Sequence, residues 1–440
     1  MTYSLIKLTL EECVEQLIDY RGKTPKKTDS GIPLITAKVI KNGKILPPTE
    51  FIAENDYESW MRRGIPKEGD VVLTVEAPLG EVAQLDSRKI ALAQRVITLR
   101  GKKDLLNNTF LKYLLMSNEF QSALNGRSSG TTVLGIKQSE LRKIQLTFPS
   151  LSIQKKIAHI LSTLDNKIEL NKKINQTLES IAQAIFKSWF VDFDPIHAKA
   201  NAQSEDEYNA IAKELGISRE ILDLFPNEFE ESELGMIPDG WRVTKLGSQV
   251  EIKRDSSPRP IQNFIVDTGY HWLKIADATA EPSPFILKTK EYIKESGLKN
   301  TVYLKSGSLI LSNSATPGLP KFLEIDACIH DGWLYFSKIN FFTEIYLYFL
   351  FLELRNDFIS KGNGSIFTNL KTDILKNQQV ILPSSIIVKL FTEIVSTFFN
   401  KIKINCREIS ELTCIKELIL PPLLSGQIDV SNLNLEPKHD

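Results

Sequence analysis

The chain has 440 residues, 25% of them charged and 42% hydrophobic, with 54 basic and 54 acidic side chains and a formal net charge of zero. That length can bury two or three cores, and the hydrophobic content excludes a disordered chain. An even balance of charge excludes a protein that holds nucleic acid by bulk charge alone.

The charge is unevenly placed along the chain. Residues 1–150 carry 22 Lys/Arg against 17 Asp/Glu, and residues 241–384 carry 17 against 14. Between them, residues 196–240 hold 3 basic and 11 acidic side chains and cancel the excess of both. Two modestly basic segments are thus separated by an acidic connector. Cys13, Cys328, Cys406 and Cys414 show no CxxC spacing, which fits reduced thiols better than a disulfide framework or a zinc site. The polar N-terminus is no signal peptide, and the most apolar run, Ile345 to Leu352, is too short to span a bilayer. A soluble cytoplasmic protein without membrane contact is expected.

Self-similarity decides the organisation. At a shift of 238 residues, Tyr3-Ser-Leu-Ile-Lys-Leu8 falls on Trp241-Arg-Val-Thr-Lys-Leu246, and Gly31 on Gly269. At the same shift Lys67-Glu-Gly-Asp-Val-Val-Leu73 falls on Lys305-Ser-Gly-Ser-Leu-Ile-Leu311, and Gly80 on Gly318. Beyond Gly130 the shift becomes 234 and holds through Lys137/Lys371, Leu141/Leu375, Pro149/Pro383 and Asn166-Lys-Ile168/Asn400-Lys-Ile402. Collinearity over most of the chain marks one module present twice.

Each copy predicts the same elements in order. Short β-rich runs (Asp70–Val75 and Ile90–Leu99; Ser308–Ser312 and Trp333–Phe336) come first, with Gly/Pro turns between them. An apolar helix follows, Thr109–Leu124 in the first copy and Thr343–Ile359 in the second. A proline then ends the last strand, and Ser150 or Ser384 caps a long amphipathic helix. A further short helix is expected at Glu207–Leu215 in the connector.

The seams of the long helices alternate steps of four and three. One reads Ile157, Leu161, Leu164, Ile168, Asn171, Asn175, Leu178, Ala182, Ile185, and the other Phe391, Val395, Phe398, Ile402, Asn405, Ile409, Leu412, Lys416, Ile419. Such spacing predicts a coiled coil, and an antiparallel pairing of the two helices would carry a pseudo-two-fold axis with one globular segment towards each end. Asn171 and Asn405 occupy the same seam position. Either they meet at the centre and fix the register, or each faces solvent at the seam edge.

With these residues in hand, the chain resembles the specificity (S) subunits of type I restriction-modification systems. The resemblance is carried by the spacer Gln154–Pro195, ending Ala184-Ile-Phe-Lys-Ser-Trp-Phe-Val-Asp-Phe-Asp-Pro195, and by Ile237-Pro-Asp-Gly-Trp241. It is also carried by Leu420-Pro-Pro-Leu-Leu-Ser-Gly-Gln-Ile428, and by Ser129-Gly-Thr131 with its counterpart Asn363-Gly-Ser365. It implies an α+β chain of two similar mixed α/β target-recognition domains, 1–150 and 236–384, each reading half of a bipartite double-stranded DNA site. Helical spacers at 151–192 and 385–430 would set the gap between the halves, with an acidic linker at 193–235 and a tail at 431–440. The spacers would also dock methyltransferase subunits, two of them, with restriction subunits joining the full complex. The second spacer departs from the first at Ile409 and Lys416, and Pro421-Pro422 is expected to end it early.

No catalytic centre is legible. The Pro-Pro pairs, Leu46-Pro47-Pro48-Thr49 and Leu420-Pro421-Pro422-Leu423, do not make an adenine-methylase box, and no P-loop occurs. Asp192 and Asp194 read as a helix exit rather than a metal pair. No cofactor is expected on this chain, and S-adenosylmethionine, ATP and magnesium would belong to partner subunits. Two alternatives remain, a coiled-coil scaffold without DNA recognition and a diverged nuclease or methylase.

Contact with DNA needs cations for phosphates and a few polar side chains for base edges. Candidates in the first copy are Arg21, Lys23, Lys26, Lys27, Arg62, Arg63, Arg127, Ser128, Thr131 and Thr132. Those in the second are Lys253, Arg254, Arg259, Lys274, Lys361, Asn363 and Ser365. For each, a merely solvated surface side chain is the competing reading. The acidic segment 196–240 is expected to be a solvated linker held away from the duplex.

Overall fold

The structure is a computed structural model that describes residues 4–22, 24–130, 133–280, 282–361 and 370–434. Contacts divide the chain into two units: Met1–Glu169 together with Glu411–Asp440, and Leu170–Ser410.

In the first unit an antiparallel sheet runs in the order Val14–Asp19, Val96–Gly101, Val71–Val75, Leu79–Gln84. The β-branched run Val71-Val-Leu-Thr-Val75 is buried at every position because its two faces serve two cores. Side chains alternate across a strand. Val71, Leu73 and Val75 therefore join the core of the helix Asn108–Met116, while Val72 joins Ile18, Leu34, Ala83 and Val96 on the other face. The stretch expected as one helix is two, Asn108–Met116 and Asn118–Gly126. Ser117 breaks it: its backbone is extended, its hydroxyl accepts from Phe120 N, and it donates to Leu114 O at 2.7 Å. Local side-chain bonding of this kind competes with helix continuation.

The second unit repeats the plan. Its sheet runs Val250–Arg254, Trp333–Ile339, Leu309–Ser312, Pro320–Leu323, with Phe285–Ile286 added at the edge. In both units the first strand of the module pairs with the last, Ile6–Thr9 with Gln145–Phe148 and Arg242–Lys245 with Gln379–Leu382. Helix Glu344–Lys361 stands where the first unit has its broken pair.

The long helices are Leu151–Phe190 and Ser385–Ser425. The Ser150 and Ser384 carbonyls accept from Gln154 N and Val388 N at 3.0 and 3.1 Å, the backbone role of an N-cap. Pro421 and Pro422 do not end the second helix, which continues to Ser425. Leu423 is buried in the first unit's core beside partly buried Leu420 and Leu424, and this packing outweighs the lost backbone donors.

The helices pair antiparallel within each unit. In the first, Asp165 meets Lys416 and Ile157 shares a core with Leu423. In the second, Asn171 meets Glu408, Asn175 meets Asn405, and the Phe186 and Phe391 rings lie 5.6 Å apart. Asn171 and Asn405 neither bond to each other nor face solvent, since both are buried on other partners. Repeat-equivalent residues meet across an antiparallel pair only at its centre, and these two lie off it. Asn405 donates to Asn175 Oδ1 at 2.8 Å, with both residues buried. The symmetric counterpart of that bond would set Asn171 against residue 409, which is Ile409, so Asn171 donates to Glu408 Oε2 at 2.8 Å instead.

The other departure, Lys416, has a matching cause. Asp165 accepts from Lys112 at 3.0 Å, Tyr113 OH at 2.7 Å and Lys416 at 2.6 Å. At the repeat-equivalent positions the second unit has Phe399 and Ala182, both in its apolar core, with Phe399 5.4 Å from Tyr348. One unit joins helices to module through a charged cluster, the other through aromatic packing.

The segment 193–235 is not a solvated linker. It forms helices Asp194–Asn201, Glu205–Glu214 and Arg219–Asp223, then a hairpin Phe229–Ser232/Gly235–Pro238. Ile196 and Phe225 are buried in the second unit's core, and Phe225 packs edge-on against Trp189 at 5.2 Å. Glu205, Asp206 and Glu207 occupy a first helical turn capped by Ser204, where negative charge complements the helix dipole. Part of the acidity is therefore local helix chemistry.

The Asp165 cluster generates a pH test. Burial by itself would raise this carboxyl, but Lys112 and the bonds from Lys416 and Tyr113 overcome it and hold it at about 2. An unfolded aspartate titrates near ~3.9. The depressed value therefore adds stability above pH ~4, on the order of 2–3 kcal/mol, which is lost as the pH falls towards 2. Asp165→Asn should lower the urea midpoint at pH 7, and its deficit should shrink as the pH drops from 5 to 3. A deficit independent of pH would contradict this account.

Candidate nucleic-acid interface

In the first unit the site begins at a buried ring. Tyr20, stacked on Trp60 at 5.4 Å, donates to Gly64 O and accepts from Arg63 N, which fixes the turn bearing Arg62 and Arg63. Arg63 Nη1 donates to the carbonyls of Asp19 and Arg21 at 3.1 and 2.8 Å. Arg21 Nη2 reaches the Ile136 carbonyl at 2.8 Å. Ile136 N in turn donates to Val75 O at 3.0 Å, and Val75 N donates to Arg95 O at 2.9 Å. Four loops are stitched side by side around the end of strand Val71–Val75. Ser129 and Gly135 close the last of them with two backbone bonds of 2.9 and 3.0 Å.

This arrangement brings Arg21, Arg62 and Arg63 together with the Ser129–Gly135 closure. The bonds made by Arg63 run to neutral carbonyls, so its charge is not cancelled there. Arg127 is paired with Glu140 at 3.1 Å, and Ser128 Oγ donates to Asn125 O at the end of a helix. Lys27 is tied to Glu50 at 2.8 Å, and Lys26 is exposed. Lys23, Thr131 and Thr132 lie outside the described residues.

The second unit builds the same stitch. Asn313 N donates to Gly332 O at 2.8 Å, and Leu370 N donates to Asn313 O at 2.8 Å. Thr74 faces Val96 in one sheet and Ser312 faces Trp333 in the other, so Arg95 and Gly332 hold corresponding places. Ala77 and Ala315, 238 residues apart, both take left-handed backbone, with φ 48° and 59°. Non-glycine residues rarely do so, and such strain gathers at functional loops.

The polar groups differ between the copies. Asp331 receives Arg259 Nη2 at 2.8 Å and Ser257 Oγ at 3.0 Å, while its carbonyl accepts from Arg254 Nε at 3.0 Å and Asn313 Nδ2 at 3.1 Å. Burial opposes ionisation of Asp331, but Ser257, His330 and Arg259 hold its carboxyl below the usual range. Arg254 and Arg259 thus converge on one residue, the first at its backbone carbonyl and the second at its carboxylate. Lys253 pairs with Glu251 at 3.2 Å and Lys274 with Glu291 at 2.5 Å, outside this cluster. The side chain of Lys361, and Asn363 and Ser365 entirely, lie outside the described residues.

Glu76, Arg95, Ser257, Asn313 and Asp331 were not singled out from the sequence. Identity of Ala77 and Ala315 at the established shift was the signal available for the first of these loops. Arg95 and Asp331 fall where the shift changes, and only strand pairing aligns them. Asp192 pairs with Lys187, and Asp194 opens a helix. Among the described residues no helix is long and apolar enough to cross a membrane.

A doubled α/β module on antiparallel helices, each copy with a loop rim of mixed charge, is the architecture of a recognition protein. Residues 12–180 and 238–413 match the family described as the type I restriction modification DNA specificity domain, and the chain belongs to that family. It is 27% identical over 420 residues to the type I restriction enzyme MjaIX specificity subunit of Methanocaldococcus jannaschii, covering 91% of this chain and 88% of that one. It is 29% identical over 392 residues to the HindI specificity subunit of Haemophilus influenzae, covering 78% and 82%. The fold is shared with the crystal structure of a type I restriction-modification S subunit from M. genitalium, with TM-score 0.59, 16% identity and 96% coverage of both chains.

Arg62, exposed on its turn, should act through charge alone. Arg62→Ala should weaken binding about equally for all DNA sequences and reduce the slope of log affinity against log salt by about 0.9. A sequence-dependent loss would contradict a pure phosphate role.

Proposed function

We propose that each rim reads one half of a bipartite double-stranded DNA site, and that the long helices fix the gap between the halves. The observation that carries this reading is the duplicated rim. One strand-end stitch is built twice on one sheet order, yet it presents Arg21, Arg63, Glu76 and Arg95 in one copy and Arg254, Arg259, Ser257 and Asp331 in the other. Shared scaffolding with divergent polar groups suits two half-sites of different sequence.

On this reading the chain directs methyltransferase subunits, two per complex, and restriction subunits to the site. The likeness to proteins named as specificity subunits of type I restriction enzymes supports that assignment. S-adenosylmethionine, ATP and magnesium belong to those partners, as does the chemistry performed with them.

The test is co-expression with the system's methyltransferase subunit and sequencing of methylated adenines. An interrupted motif is expected, and exchanging residues 1–150 or 236–384 for those of a relative should change one half only. Methylation of the same sites without this chain would refute the proposal. The seam offers a second test, since a buried amide pair specifies register at some cost in stability. Asn175→Leu/Asn405→Leu should keep or raise thermal stability yet yield methylated motifs of more than one gap length. A single unchanged gap would remove the register role.

A further inference from the structure

Arg95 is held in a backbone conformation that an arginine disfavours. Its φ is 75°, in the left-handed region, where a side chain costs free energy that glycine does not. The turn serves one visible backbone purpose, the bond from Val75 N to Arg95 O. The second unit makes the same bond through Gly332, whose φ lies outside that region, so the stitch requires neither an arginine nor the strain. What Arg95 supplies is its side chain.

That side chain is 48% exposed and faces Glu76, 42% exposed, with Nη2 to Oε1 at 3.4 Å. Glu76 stands next to Ala77, another left-handed non-glycine residue of this rim, and itself bridges to Gly135. Two strained turns therefore set one guanidinium against one carboxylate beside the loops of Arg21 and Arg63. A guanidinium oriented by a carboxylate keeps donors for a planar, two-acceptor partner. In the major groove that partner is the O6/N7 edge of guanine.

We propose that Arg95 reads a guanine in the half-site recognised by the first unit, with Glu76 as the residue that positions its guanidinium. This rests on the reading of the rim as a DNA interface. The second unit, with Gly332 at the corresponding place, makes no such contact there.

The test uses the full chain with its methyltransferase subunit, and duplexes carrying the mapped motif with each base pair of the first half-site varied in turn. Arg95→Gly should raise the melting temperature by relieving the turn, while discrimination at one G·C pair falls about ten- to hundred-fold. Arg95→Lys, which keeps the charge but not the two-pronged geometry, should lose the same discrimination without the gain in stability. Glu76→Gln should relax the same base pair more weakly. Uniform weakening across all sequences with a shallower salt dependence would make Arg95 a phosphate contact and overturn the proposal. So would unchanged discrimination at every position. If Arg62→Ala and Arg63→Ala also leave binding to every duplex unaltered, the rim is not the DNA interface, and both readings fall together.

Discussion

The end of one strand, held between two turns, organises each recognition unit. Val75 donates to one neighbouring turn and accepts from another, and Asn313 does the same in the second copy. Both groups belong to the backbone, so the joint persists while the side chains around it change. A buried, β-branched strand makes the joint rigid, because Val71, Val72, Leu73 and Val75 are packed on both faces. Loops that would otherwise move independently are thereby brought into one rim, and recognition groups work best on such supported positions.

A rim of this kind explains the weak net charge. Glu76 accompanies Arg95, and the Asp331 carboxylate accompanies Arg259, so these two cations are offset locally by the carboxylates that orient them. Bulk attraction is small and geometry is specified, a balance suited to discrimination among sequences. The acidity of residues 196–240 has a separate origin, since part of it lies in the first turn of helix Glu205–Glu214, where it complements the helix dipole.

The spacer helices carry the same lesson about symmetry. Where Asp165 appears in one copy, Lys416 answers it on the other helix; where Phe399 stands instead, Ala182 leaves room for it. Asn175 finds Asn405, but Ile409 denies Asn171 an equivalent partner. The Lys416 departure is thus half of a pair compensated across the seam, whereas the Ile409 departure turns Asn171 to Glu408 instead.

The sequence by itself determined the doubling of the module, the long amphipathic helices with their coiled-coil seams, and the family. These follow from periodicity and collinearity, which are properties of residue order. It also placed Arg21, Arg63, Arg254 and Arg259 among the candidate contacts, though in company with lysines that the fold assigns to Glu50, Glu251 and Glu291. Only the tertiary structure decided which loops meet, because residues 75, 95 and 136 are distant in order and joined through backbone atoms common to every residue, and the Arg21 and Arg63 side chains reach backbone carbonyls far along the chain. It alone showed that the acidic stretch is folded, that Pro421 and Pro422 lie within a helix, and that Asn171 and Asn405 bond to different neighbours. Those outcomes turn on packing against partners elsewhere in the chain, a contribution that local propensity does not contain.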